Sequence, residues 1–138
     1  MSARNFLDSN VLVYSDDHGH PEKQKVALSL IERCRRSGDG VVSTQVLQEY
    51  FAAVTRKLSV PAEIARRKVQ LFARFPVVKI DVPDILAAID LQRLHKVSFW
   101  DALIVRGAQQ GGCSILYTED LHDGWNLEGL RIANPFQS

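Results

Sequence analysis

The alternation of short apolar runs with amphipathic helical stretches constrains this chain more than any other feature. Asn5-Phe6-Leu7-Asp8 reads as a first strand. A helix follows from Pro21 to about Ser37, with Pro21 suited to its first turn and Gly38 to its end. Its Ala27, Leu30, Ile31 and Cys34 recur at helical spacing. Val41-Val42-Ser43 is a second strand, and a helix from about Thr44 to Leu58 carries Val46, Leu47, Tyr50, Phe51, Val54 and Leu58 on one stripe. Another helix starts near Pro61 with Ile64, Ala65, Val69 and Phe72 inward, before a strand at Val77-Val78-Lys79-Ile80. Pro83 opens a helix to about His95, and Ser98 opens one that Gly111-Gly112 ends. Ser114 to Tyr117 and Leu130 to Ile132 are the last strands. Strands alternating with helices imply a parallel sheet covered on both faces. The expected fold class is α/β: a three-layer sandwich with a central, mostly parallel sheet flanked by helices.

No linker or repeat divides the sequence, so residues 1–138 are read as one domain. Apolar runs reach only five residues, as from Ile85 to Ile89, too short to span a bilayer. The first residues lack the apolar stretch of a secretion signal, so a cytoplasmic protein with no membrane partner is expected. Cys34 and Cys113 form no CxxC and sit in or beside apolar patterns, as buried free thiols do. The net charge of +1 does not itself argue for nucleic acid.

Ligands of open parallel sheets bind beyond the carboxyl ends of the strands. Asp8 ends the first strand, and Glu49 lies in the helix after the second. Asp120 follows the strand Ser114 to Tyr117, and Asp101 is in the first turn of the helix that feeds that strand. Asp101 is in phase with Ile104, Val105 and Ala108, where a lone carboxylate is costly unless paired, hydrogen-bonded or metal-bound. Ser98-x-x-Asp101 equally matches a capping box, and the two roles are compatible. Asp8 can likewise be the cap of a short helix from Ser9 to Tyr14, Glu49 a surface residue, and Asp120 a turn residue. Shared placement at one sheet edge favours a common site.

Four segments carry a family resemblance. Phe6-Leu7-Asp8-Ser9-Asn10-Val11-Leu12-Val13-Tyr14 resembles the opening motif of PIN-domain ribonucleases. Ser43-Thr44-Gln45-Val46-Leu47-Gln48-Glu49 resembles their second motif, and Ser98-Phe99-Trp100-Asp101-Ala102-Leu103-Ile104 their third. Leu116-Tyr117-Thr118-Glu119-Asp120 is similar to the fourth, and the ending Leu130 to Phe136 is also of the family type. In size and layout the chain resembles VapC-type toxins of bacterial toxin–antitoxin pairs. The resemblance implies a PIN-like fold and a magnesium- or manganese-dependent endoribonuclease, inhibited by a cognate antitoxin and often a homodimer. It also implies that Asp8, Glu49, Asp101 and Asp120 are the catalytic, metal-holding acids, with Asn10 supporting Asp8. Glu119 and Asp123 stand close enough to compete for the fourth place.

All-oxygen ligands select hard cations such as magnesium or manganese. The four histidines form no convincing zinc pattern. Asp8 and Asp101 are the expected direct ligands; Glu49 and Asp120 would complete the site, orient the attacking water or bind a second ion. Two carboxylates ~4 Å apart repel by roughly 4 kcal/mol at an effective dielectric near 20. Positive charge must therefore hold an RNA substrate. Candidates are Arg33, Arg35 and Arg36, then Arg56 and Lys57, then Arg66, Arg67 and Lys68, although basic helix ends and solvated faces account for such runs as well. Trp100 beside Asp101 is a base-stacking candidate as well as a core or interface aromatic. Tyr50, Phe51 and Leu58 mark either an antitoxin groove or core.

Two other readings bear on the same residues. Asp8-Ser9-Asn10 resembles the nucleophile loop of haloacid-dehalogenase-type phosphatases, but Asn10 replaces the aspartate that serves there as general acid. A catalytically silent PIN-like module that binds RNA or protein would keep the fold without turnover.

Overall fold

Residues 3–137 are described by a computed structural model. The chain runs β1 (Arg4–Leu7), α1 (Ser9–Tyr14), α2 (Pro21–Ser37), β2 (Gly40–Ser43), α3 (Thr44–Lys57), α4 (Ala62–Phe72), β3 (Val77–Val78), α5 (Val82–His95), α6 (Phe99–Gln110), β4 (Cys113–Tyr117), β5 (Asn126–Leu127) and β6 (Leu130–Ala133). One six-stranded sheet has the order β3-β2-β1-β4-β6-β5. Its pairings are parallel except β5 with β6. The mostly parallel α/β architecture expected from the alternation is present.

Residue alternation shows how the two faces are covered. Phe6 and Leu7 are neighbours in β1, point to opposite faces, and are both fully buried. Phe6 faces α6, since a Cβ added at Gly107 would lie 3.5 Å from its ring. Leu7 is in register with Tyr117, whose hydroxyl accepts a hydrogen bond from Arg33 of α2 at 3.2 Å. Thus α6 and α2 cover opposite faces of the central strands. Closing the α6 turn against β2 needs a residue without a side chain: a Cβ at Gly111 would meet Val41 Cγ1 at 2.9 Å. At the end of α2, Gly38 takes φ 71°, the left-handed conformation that stops a helix.

Some local expectations are corrected. The third strand stops at Val78 because the Ile80 N–H donates to Thr44 Oγ1 at 3.3 Å, and the Asp81 N–H turns to Asp84 Oδ2 at 3.0 Å. Ile64 is exposed; Ala65, Val69 and Phe72 alone carry the inward stripe of α4, with Phe72 edge-on to Tyr50 at 5.0 Å. Tyr50 is fully buried core, while Phe51 is exposed, so the two do not form one surface groove. Cys34 is a buried free thiol as expected, but Cys113 is only partly buried. Strand β5 is additional to the strands that the sequence pattern predicts. It forms a hairpin with β6 through Glu128 (φ 54°) and Gly129 (φ 91°), two positive-φ residues that give the turn the twist a two-residue hairpin requires. Among the described residues no helix is long and apolar enough to cross a membrane.

Candidate active site

The next strand in sequence after β1 lies on one side of it, and β4 lies on the other. The carboxyl ends of β1 and β4 therefore flank a topological switch point, where open α/β sheets bind ligands. Asp8 follows β1 and Thr118 follows β4. Because Leu7 pairs with Tyr117, the next residue on each strand, Asp8 and Thr118, comes side by side. The Thr118 hydroxyl donates to Asp8 Oδ2 at 2.8 Å.

Asp8 is also the N-cap of α1: its Oδ1 accepts the Ser9 N–H at 2.6 Å. It is only 3% exposed. Burial pushes its carboxyl up from 3.8 to about 7, against the opposing hydrogen bonds from Thr118 and Ser9, and the charges of Asp120 and Glu49 push it further. Capping and clustering with other acids coexist in one residue.

The other acids are tied to Asp8 by short polar side chains. The Ser9 hydroxyl reaches Glu49 Oε1 at 3.0 Å. Buried Gln45, one helical turn before Glu49, donates from Nε2 to Glu49 Oε2 and to the Trp100 carbonyl, both at 3.1 Å. Asn10 Nδ2 donates to Thr118 Oγ1 at 3.1 Å and to Asp120 Oδ2 at 3.2 Å, and lies 3.5 Å from Asp8 Oδ2. The Asp120 N–H closes the ring onto Thr118 Oγ1 at 3.1 Å. Asp101 lies in the first turn of α6, where its N–H is capped by Ser98 Oγ at 3.0 Å. Its carboxyl is raised by partial burial, opposed by Ser98, and raised further by the charge of Asp120.

The contenders for the fourth acid lie elsewhere. Glu119 accepts from the Tyr14 hydroxyl at 2.8 Å and pairs with Lys23 at 3.1 Å. Asp123 accepts the Asn134 N–H at 2.8 Å. Asp120 alone of the three faces Asn10 and acts electrostatically on both Asp8 and Asp101.

Among the described residues, no three His, Cys, Asp or Glu side chains converge closely enough to cage a metal ion. The carboxylates of Asp8, Glu49 and Asp120 are instead held by neutral donors. The donor set is nonetheless all oxygen, which suits a hard divalent cation. The buried Asn10 Oδ1 and Gln45 Oε1 beside it have no hydrogen-bond partner among the described residues. The residues present fit such an ion by their chemistry.

The bases divide. Lys68 pairs with Asp16, and Arg35 and Arg36 with Glu32. Arg56, Lys57, Arg66 and Arg67 are exposed. Neither thiol is poised for reaction, because burial pushes both Cys34 and Cys113 up to about 11. Sequence reasoning missed Ser9, Gln45 and Thr118 as positioning donors. Thr118 was accessible in principle, since parallel pairing of the first strand with the fourth puts it opposite Asp8.

The site can be set beside known proteins. The family model described as "PIN domain" matches residues 6–122. No curated protein sequence matches the chain. Among solved structures, the toxin–antitoxin complex from Klebsiella pneumoniae superposes with a TM-score of 0.70 at 18% identity, covering 97% of this chain and 98% of that one. VapC20 of Mycobacterium tuberculosis, described as a Sarcin-Ricin loop cleaving toxin, gives 0.67 at 20% identity, covering 84% and 89%. DNA-bound VapBC from Salmonella typhimurium gives 0.67 at 18%, covering 97% and 99%. These likenesses are of fold, and the family match spans most of the sequence: the chain belongs to the PIN-domain family.

Proposed function

We propose that this protein is a magnesium- or manganese-dependent endoribonuclease and the toxin of a type II toxin–antitoxin pair, acting in the cytoplasm. The carrying observation is Asp8: a buried carboxylate, pushed up to about 7, with Asp120 and Glu49 acting on it at the switch point of the sheet. A buried carboxylate with other acids acting on it is retained where a cation or proton compensates it. The fold neighbours that are toxins or toxin–antitoxin complexes support the biological role.

In this reading Asp8 and Asp101 hold the metal directly, and Glu49 and Asp120 complete its surroundings or orient water. A bound magnesium or manganese ion supplies an acidified water and neutralises charge on the phosphoryl oxygens. The chain's own residues set the geometry. Thr118 and the Ser9 N–H fix the two oxygens of Asp8, Ser9 and Gln45 fix Glu49, and Asn10 fixes Asp120. Water would attack the phosphorus in line, the bond from phosphorus to the 3′-oxygen would break, and that oxygen would leave protonated, the proton lost by the water returning through solvent. An antitoxin partner and a homodimer accompany this reading by family resemblance.

The test is incubation of the purified protein with labelled RNAs in magnesium, manganese or EDTA. Fragments that need metal and vanish in Asp101→Asn support the reading. Binding without metal-dependent cleavage would instead identify a silent RNA-binding module.

A further inference from the structure

Trp100 precedes Asp101 in the first turn of α6, yet its side chain has no place in the core: it is 63% exposed. Its main chain is not loose. The Trp100 carbonyl accepts from buried Gln45, and the same Nε2 donates to Glu49, so one amide ties the Trp100 peptide to an acid of the site. The ring packs edge-to-face on Phe99 at 5.1 Å and 74°. A large aromatic surface is thus held in solvent on the residue that precedes Asp101 in the first turn of α6.

Electrostatics gives that surface a task. The acids repel phosphates, and the chain's net charge is only +1. Lys23 and Arg106 are engaged by Glu119 and Asp84, and Lys68 by Asp16. Arg56, Lys57, Arg66 and Arg67 remain exposed to attract phosphates, and beside the acids an interaction that does not depend on charge adds to theirs without meeting the same repulsion. Stacking of a base on an aromatic ring is such an interaction, and it requires a base that is unpaired.

We infer that Trp100 stacks on an unpaired nucleobase flanking the cleaved phosphate and so biases which base stands at that position. This rests on the ribonuclease reading above. Because stacking strength and not hydrogen bonding would discriminate, the preference at this position is for purines over pyrimidines, graded and not absolute.

The inference is tested by fluorescence anisotropy of a labelled single-stranded oligoribonucleotide, in EDTA so that turnover does not enter. Trp100→Ala is expected to bind about 5- to 150-fold more weakly, the ~1–3 kcal/mol of one stacked base. Trp100→Phe should keep most of the affinity, and the melting temperatures of both should match the parent, since an exposed ring contributes little to the fold. In Trp125→Phe protein, where Trp100 is the remaining tryptophan, its emission should be quenched saturably by the oligonucleotide and not by inorganic polyphosphate. Unchanged affinity in Trp100→Ala overturns the inference while leaving the ribonuclease reading standing. So does a change confined to sedimentation, from dimer to monomer, which would make Trp100 a contact between copies. A parent protein that neither binds nor cuts RNA overturns both.

Discussion

Replacing Asp8 by asparagine should stabilise the protein when no metal is supplied, although it removes the central residue of the site. In the fold this carboxyl sits at about 7, against 3.8 in an unconstrained chain. Between those two values the folded state binds the proton and the unfolded state does not. Stability therefore falls as pH rises through this window, and the whole penalty is present above pH 7. At 1.36 kcal/mol per pH unit the penalty reaches about 4 kcal/mol. Asparagine has no charge to desolvate and caps helices as well as aspartate, so the Ser9 N–H keeps its acceptor. Its amide must face Thr118 Oγ1, which already accepts from Asn10 and from the Asp120 N–H. That crowding costs on the order of 1–2 kcal/mol. The net gain at pH 8 in EDTA is about 2–3 kcal/mol, or roughly 8 °C in melting temperature for a domain of this size. At pH 5 most of the penalty is already relieved in the parent, and the two proteins should melt together. The assay is thermal unfolding by circular dichroism from pH 5 to 8.5 in EDTA. A gap between parent and variant that does not change with pH, or a less stable variant at pH 8, would refute the reasoning.

Other perturbations give independent readings. Millimolar magnesium or manganese should raise the melting temperature of the parent, by an amount equivalent to about 2.7 kcal/mol at a hundred times Kd; Asp8→Asn and Asp101→Asn should each lose that rise in the same scan. In a labelled-RNA cleavage assay Asp120→Asn should lose roughly 10- to 100-fold in rate. At saturating metal, Glu119→Gln, which touches a partly exposed pair with Lys23, should change the rate far less. Arg106→Met strands Asp84, which is buried and held below the ordinary carboxylate range by the Asp81 N–H and by Arg106. At neutral pH it should cost about 3 kcal/mol in a urea titration. That cost should shrink as pH falls below 4, where the lowered carboxyl of the parent takes up its proton and loses the same stabilisation. Gly111→Ala places a methyl group 2.9 Å from Val41 Cγ1 and should destabilise by about 1–3 kcal/mol in the same titration.

What the sequence reveals, it reveals where chemistry is periodic. The stripe of α3 is set by Val46, Tyr50 and Val54, all fully buried, and the end of α2 by Gly38. Such signals depend on one segment and water. Ile64 breaks the rule because its helix lies at the edge of the core, where an in-phase residue can still face solvent. Strand β5 is too short for an alternation to register; only the pair Glu128-Gly129 marks it, through backbone angles and not through hydrophobicity. In the site, the acids are visible by type and position. Their supporting donors are not, because Ser9, Gln45 and Thr118 are common residue types whose role depends on strand register and on contacts between distant segments. The choice among Glu119, Asp120 and Asp123 is of the same kind: three acids within five residues differ only in what each side chain meets.

The supporting donors also explain how such a set of acids can exist in a folded chain. Four carboxylates at one edge would repel by several kcal/mol per close pair. A lysine or arginine placed among them would relieve that repulsion but would also compete with any cation for the same oxygens. Here the partners of Asp8, Glu49 and Asp120 are hydroxyls, amides and backbone N–H groups. Neutral donors orient the oxygens without cancelling their charge. Lys23 pairs with Glu119, one residue from Asp120, and also donates to the Tyr14 hydroxyl. Glu119 thus pairs with a cation outside the ring of donors. Removing the acid and keeping the lysine should therefore be worse for metal binding than removing both. Glu119→Ala should weaken the magnesium-induced rise in melting temperature more than the double variant Lys23→Met/Glu119→Ala. Equal losses in the two proteins would mean that Glu119 acts only by packing.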